Sequence, residues 1–211
     1  MGLATMDIQT SSAIQFDQLS NEDLMEHFQS GHEQAFNLLV KRFKDRLHNF
    51  LYRYTHNHQD CEDLVQETFL RVYRSKHSYE RIAKFSTWMY TIALNLAKSE
   101  YKKKQRMTTV TIHKDEEDSE DRAMKLEATD ILPDDSLHEK MCMNELEKAL
   151  KELSEDFREV VILRDIQQLA YDEIANITDL PMGTVKSRIN RGRSQLQTLL
   201  KKHVYPETIS A

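Results

Sequence analysis

The chain has very few residues that make turns: four glycines and three prolines in 211 residues. Many short strands would need more such turns, so a sheet-rich fold is disfavoured. Apolar residues instead recur every three or four positions, which is the spacing of a buried helix face. The sequence therefore predicts an all-α protein, and its length suits two small helical domains.

The first domain is predicted over residues 19–106, after a disordered tail at 1–18. Order begins near Ser20, where a capping motif precedes an apolar stripe from Leu24 to Tyr54. A second helix is predicted from Asp60 to about Arg74. A third begins near Ser86 or Thr87, and residues 81–106 carry seven basic residues against one acidic residue. That net charge of +6 marks a first basic zone.

Residues 107–140 reverse the charge, with eleven acidic residues against four basic ones, a net of −7. The segment has few aromatic residues and no sustained period, which predicts a flexible, self-repelling acidic linker. The second domain is predicted over residues 141–203, followed by a tail at 204–211.

Residues 171–193 predict two short helices joined by a tight turn, a helix-turn-helix unit. Between residues 181 and 203 there are six Lys or Arg and no Asp or Glu. Such concentrated positive charge favours DNA phosphates, although a basic solvated helix end is the alternative.

In the second helix of this unit, Val185 and Ile189 are predicted to face the core, which turns the polar positions outward. The early backbone N–H groups near Gly183 and Thr184 suit a phosphate. The base-edge candidates are Lys186, Ser187, Asn190 and Arg191. The phosphate candidates are Arg188, Arg193, Lys201 and Lys202.

Other function classes receive little support. The sequence has no glycine-rich phosphate loop, GxSxG or HExxH, so neither an enzyme nor a cofactor is expected. His56, His58 and Cys61 could indicate a metal site, but no fourth ligand is evident and a loop beside a buried thiol is favoured. No membrane span or signal peptide is apparent, so a cytoplasmic protein with reduced Cys61 and Cys142 is expected.

Four motifs in order resemble the two-domain extracytoplasmic-function sigma factors of bacterial RNA polymerase. They are DLVQETFLRVYRS (63–75), FSTWMYTIALNLAKSEYKKK (85–104), LSEDFREVVILRD (153–165) and GTVKSRINRGR (183–193). The sequence departs from the family pattern at Ala170, where a Ser usually caps a helix, and at Asp179, where a Gly usually turns the chain. Tyr171 or Asp172 could adjust the cap, and Asp tolerates the left-handed region.

The resemblance implies partners and residue roles. The implied partners are core RNA polymerase, promoter DNA and an anti-sigma factor. The contacts on core polymerase would be the basic coiled coil of the largest subunit and the flap of the beta subunit, and the chain would otherwise be monomeric. The implied polymerase-binding positions are Asp60, Asp63, Gln66, Glu67 and Phe69. A plain acidic surface is the alternative interpretation of the acids.

The segment from Tyr79 to Lys104 resembles the family's promoter-opening and minus-ten-reading element. The implied DNA-contacting residues, here called the minus-ten surface, are Tyr79, Lys84, Phe85, Ser86, Thr87, Trp88, Asn95, Lys98, Lys102 and Lys103. Aromatic surfaces beside a basic track are suited to holding single strands. Trp88 is equally compatible with a core position.

The implied function is a dissociable initiation subunit that recognises the minus-ten and minus-thirty-five elements and assists melting. One alternative is a free-standing dimeric helix-turn-helix regulator. Another is a protein-only adaptor whose basic ends bind acidic partners.

Overall fold

The computed structural model describes residues 16–111 and 134–204. Within these ranges the regular elements are all helical, which confirms the predicted all-α class. The α-helices are α1 Asn21–Gln29, α2 Glu33–Thr55, α3 His58–Arg74, α4 Phe85–Thr111, α5 Asp134–Glu152, α6 Glu155–Val161, α7 Tyr171–Thr178 and α8 Met182–Val204.

Helices α1 to α4 form the N-terminal domain. The Ser20 hydroxyl accepts a hydrogen bond from the Asp23 N–H at 3.1 Å, so α1 begins at the predicted cap. Gly31, with φ of +101°, makes the turn into α2, a conformation that favours glycine. Leu24 and Phe28 are fully buried against the apolar face of α2, as their periodicity predicts.

Helix α3 begins where the Asn57 side chain accepts a hydrogen bond from the Asp60 N–H at 3.0 Å. Its inward face buries Cys61, Leu64 and Val72, which places the acidic residues on the other side.

The predicted linker is helical at both ends. Helix α4 continues to Thr111 and α5 begins at Asp134, so residues 107–111 and 134–140 belong to helices rather than to a flexible segment. Helices α4 and α5 are both packed against other helices, and adding residues to an established helix costs less than nucleating a new one, so both continue past the predicted boundaries. The predictions for residues 1–15, 112–133 and 205–211 lie outside the described ranges.

Helices α5 to α8 form the C-terminal domain. After α6 the backbone widens into a π-helical turn over Ile162–Ile166, in which the Gln167 N–H donates to the Ile162 carbonyl at 3.0 Å. The turn leaves the Gln167 side chain buried, with 4% of its surface exposed.

The two departures from the family pattern are accommodated locally. Ala170 has no side-chain acceptor, and Glu173 caps α7 instead by accepting from the Ala170 N–H at 2.9 Å. The proposed adjustment by Tyr171 or Asp172 is therefore replaced by Glu173. Asp179 adopts the left-handed conformation, with φ of 55°.

The two domains lie in direct contact. Helix α4 packs along α7, and α2 packs on the π-helical turn. This contact places part of the minus-ten surface at the domain interface.

Candidate nucleic-acid and polymerase interfaces

Helix α8 presents the predicted base-edge residues outward. Val185 and Ile189 are fully buried, which fixes the rotation of the helix. Lys186, Ser187, Asn190 and Arg191 are exposed on the remaining surface, and Thr184 at the helix start is half-buried. The geometry is suited to insertion into a major groove.

Two predicted phosphate contacts on α8 are engaged within the protein. Arg188 Nη1 lies 3.0 Å from Asp156 Oδ1 and 3.5 Å from Glu159 Oε1. Arg193 Nε donates to Asp165 Oδ2 at 3.0 Å. Both guanidinium groups tie α8 to α6 and to the π-helical turn, so they position the helix before any DNA arrives.

The aromatic part of the minus-ten surface forms a cluster. Trp88 lies 5.3 Å from Tyr79 and 6.3 Å from Phe85, measured between ring centroids. Phe85 is fully buried against Phe43, however, and Tyr79 is 5% exposed. These two rings belong to the core, and their burial does not fit the expected open pocket. Trp88 is half-buried and faces both environments.

The polar part of the minus-ten surface divides between solvent and the C-terminal domain. Asn95, Lys102 and Lys103 are exposed, and Ser86 is half-buried. Thr87, by contrast, is buried with 4% of its surface exposed, and its hydroxyl lies 3.5 Å from Glu173 Oε1. Lys84 Nζ lies 3.2 Å from the same oxygen.

The predicted polymerase-binding positions lie mainly on the outer side of α3. Asp63 and Gln66 are exposed, while Asp60 pairs with Lys104 and Glu67 accepts from Arg71 Nε at 2.9 Å. Phe69 is only 9% exposed, beside Phe36 in the core, so a direct polymerase contact from its ring does not fit the structure.

Sequence reasoning missed two exposed apolar residues on α3. Leu70 and Tyr73 are 40% and 42% exposed. Both fall outside the regular apolar stripe of the helix, and that was the available signal.

Glu159 is the most deeply buried charged side chain among the described residues. Its side chain is 1% exposed, yet Lys98 Nζ lies 2.6 Å from Oε2, outside ideal hydrogen-bond alignment, and Arg188 approaches Oε1. Burial raises the pKa of Glu159, and the two cations oppose that rise. Sequence reasoning missed this residue, although a Glu beside Val160 and Val161 in a buried run was a visible signal.

Further polar contacts join the domains. The Tyr90 hydroxyl donates to Gln167 Oε1 at 2.7 Å, and Arg46 donates to the Gln167 carbonyl at 3.2 Å. The Tyr54 hydroxyl donates to Glu155 Oε1 at 2.5 Å, and burial raises the pKa of Tyr54.

The His56, His58 and Cys61 cluster takes part in ordinary packing. The His58 ring packs against Tyr52 at a centroid distance of 4.4 Å, with the two rings tilted by 32°, and Cys61 Sγ lies 3.3 Å from the His48 carbonyl. Within residues 16–111 and 134–204, no three His, Cys, Asp or Glu side chains are grouped to hold a metal ion. In the same part of the chain, no helix combines the length and the apolar character that a bilayer crossing requires.

Both domains match established families. Residues 39–107 match sigma-70 region 2, and residues 143–196 match sigma-70 region 4.

Similar proteins agree with this assignment over most of the chain. The chain is 35% identical to an ECF RNA polymerase sigma-E factor of Haemophilus influenzae over 88% of its own length and 97% of the relative's. It is 32% identical to the ECF RNA polymerase sigma factor SigW of Bacillus subtilis, over 81% and 91% of the two lengths.

A solved structure also resembles the chain across both domains. It is the sigma factor RpoE in complex with the anti-sigma factor NepR from Bartonella quintana, with a TM-score of 0.64 and 28% identity. The likeness covers 80% of this chain and 98% of that one.

Proposed function

The chain belongs to the extracytoplasmic-function sigma factors of bacterial RNA polymerase, and from this membership we propose specific roles for its surfaces. It is a non-enzymatic initiation factor that binds core polymerase and promoter DNA. The main support is the position of four polar residues on α8, whose apolar face is buried in the core. The exposed residues are Lys186, Ser187, Asn190 and Arg191. This face of α8 reads the minus-thirty-five element, with Arg or Lys suited to guanine and Asn to adenine.

The exposed part of the minus-ten surface binds the melted strand. Asn95, Lys102 and Lys103 lie along one helix, and Trp88 offers a partly exposed ring near its start. A basic track beside an aromatic face retains single-stranded DNA by charge and stacking.

The acidic side of α3 binds the coiled coil of the largest polymerase subunit. Asp63 and Gln66 offer exposed polar groups, and Leu70 and Tyr73 add apolar area that an acidic surface alone would lack. The flap of the beta subunit is the second contact on core polymerase. An anti-sigma factor regulates the chain, and the cytoplasm is its place of action because core polymerase works there.

The test combines purified chain with core polymerase on a promoter library. We expect comigration with core enzyme and transcripts from promoters that share two elements. A dimer that protects a palindrome without polymerase would support the free-standing regulator, and an absence of DNA specificity in either assay would support the adaptor. Either result would overturn the proposal.

A further inference from the structure

The contact between the domains uses residues that the proposed function assigns to DNA. Thr87 is 4% exposed at the contact with α7, and the side chain of Lys98 keeps 29% of its surface. The observed packing therefore covers part of the surface that would receive the promoter strand.

Glu159 connects both DNA-binding surfaces through one carboxylate. Lys98 comes from the minus-ten surface and Arg188 comes from α8, and their nitrogens lie 2.6 Å and 3.5 Å from the two carboxylate oxygens. A buried carboxylate is unfavourable without such cations. The buried carboxylate of the C-terminal domain is therefore partly neutralised by a lysine of the N-terminal domain.

Glu173 makes a second connection of the same kind. One oxygen caps α7 at the Ala170 N–H, while the other lies 3.2 Å from Lys84 Nζ. In this arrangement Lys84 pairs with a protein carboxylate rather than with an external anion.

Neutral hydrogen bonds complete the contact. Gln167, set by the π-helical turn, accepts from the Tyr90 hydroxyl through its side chain and from Arg46 through its carbonyl. Because Tyr90 is fully buried, breaking the contact would leave its hydroxyl without this partner.

This arrangement conflicts with simultaneous reading of two promoter elements. Two domains that read promoter elements one to two helical turns apart must be separated by roughly 35 to 70 Å, whereas here the two domains share side-chain contacts. The 22 residues at 112–133 would reach up to about 75 Å if extended, so the chain length permits the separation.

Resting on the proposed function, we propose that the free chain is autoinhibited: Glu159 and Glu173 hold Lys98 and Lys84 in a closed state that must open before promoter DNA binds. The two glutamates act as internal substitutes for DNA phosphates. Core polymerase favours the open state because it holds the domains apart.

The test compares the full-length chain with a Glu159→Gln/Glu173→Gln variant. Gln is similar in shape and can still cap α7, so the folded domains should persist, as checked by circular dichroism. We expect a larger radius of gyration by small-angle scattering. We also expect about tenfold tighter binding of the free chain to promoter DNA, the change expected if the open state rises from about a tenth of molecules to nearly all.

Two controls separate opening from a change in charge. Asp165→Asn/Asp156→Asn removes the same charge but only from contacts within the C-terminal domain, so the radius should not change. Tyr90→Phe keeps the charge and removes only the bond to Gln167, so it should enlarge the radius.

An unchanged radius in both the glutamate variant and Tyr90→Phe would overturn the closed state. Polymerase-dependent transcription by the unaltered chain is measured in parallel. Activity in that assay together with an unchanged radius would reject autoinhibition and leave the proposed function standing.

Discussion

Gly192 of α8 packs against Val161 of α6 with no space for a side chain, since a Cβ on the glycine would lie 2.7 Å from Val161 Cγ2. The close approach holds the middle of α8 on α6, one helical turn after the contacts of Arg188. The orientation of α8 therefore depends on the absence of a side chain at residue 192.

Gly192→Ala should destabilise the C-terminal domain by about 1 to 3 kcal/mol, because the added methyl overpacks the α6–α8 contact. Helix propensity alone would give the opposite sign. Gly183→Ala is the control: nothing lies within 4 Å of its Cβ, so a gain of about 0.5 to 1 kcal/mol is expected. Thermal unfolding of both variants measures the difference, and equal stabilisation would refute the packing argument.

Arg191→Ala should cost about 1 to 3 kcal/mol in promoter binding by the polymerase complex and relax selectivity at one or two bases of the upstream element. Its guanidinium is exposed on the outer side of α8. Arg188→Ala should instead lower the stability of the isolated chain, since Arg188 pairs with Asp156 and Glu159. Selection from a randomised upstream element measures the first effect. Uniform weakening on all sequences would contradict base reading by Arg191.

Lys102→Gln/Lys103→Gln should weaken promoter binding without changing sequence preference, because exposed lysines contribute through phosphate charge. The slope of log K against log salt should fall by about 1.4 to 1.8 for the two charges. Titrations at several salt concentrations measure this slope. Lys41→Gln/Lys44→Gln, on the exposed side of α2, should leave it unchanged.

Asp63→Lys should reduce the association rate with core polymerase, because an exposed acid would be replaced by a charge that the basic coiled coil repels. Stopped-flow binding measures the rate, and the effect should diminish as salt rises. Asp45→Lys makes the same charge change on α2. An equal loss from both variants would show a general charge effect rather than a contact at α3.

The stability of the folded chain, with its two domains in contact, should fall as the pH drops from about 6.5 toward 4. Burial, with Arg158 and Lys151 nearby, lowers the pKa of His56 to about 4, whereas the unfolded chain takes up a proton near 6.5. The stabilisation is therefore complete above about pH 6.5 and lost as the pH falls, by about 1 to 2 kcal/mol after allowance for partial exposure.

His56→Asn is the matched variant for this pH dependence. Asn tolerates the left-handed conformation of this residue, whose φ is 54°, and it does not titrate in this range. Denaturant unfolding at several pH values should show a shallower decline than in the unaltered chain. An identical decline would place the dependence elsewhere.

Local periodicity was sufficient to predict the apolar faces of the helices and the rotation of α8, but not where α4 ends or where α5 begins. Val185 and Ile189 repeat four residues apart, and that spacing alone turns Lys186 and Asn190 toward solvent. The cap at Ser20 and the left-handed Asp179 are also local, and both were predicted correctly.

The interdomain contacts could not be predicted in this way. Glu159 and Lys98 are 61 positions apart, and periodicity describes each helix without identifying its partner. The same limitation applies to the burial of Phe85. The resemblance implied that its ring contacts DNA, whereas the ring is fully buried and packs against Phe43 of α2.

The sharing of Glu159 between Lys98 and Arg188 has a consequence for hybrid factors assembled from related chains. A hybrid that takes one half from a relative without the matching side chains would leave Glu159 buried without one of its cations. Such hybrids should unfold at a lower temperature than either parent, and restoring the missing basic residue should recover the lost stability.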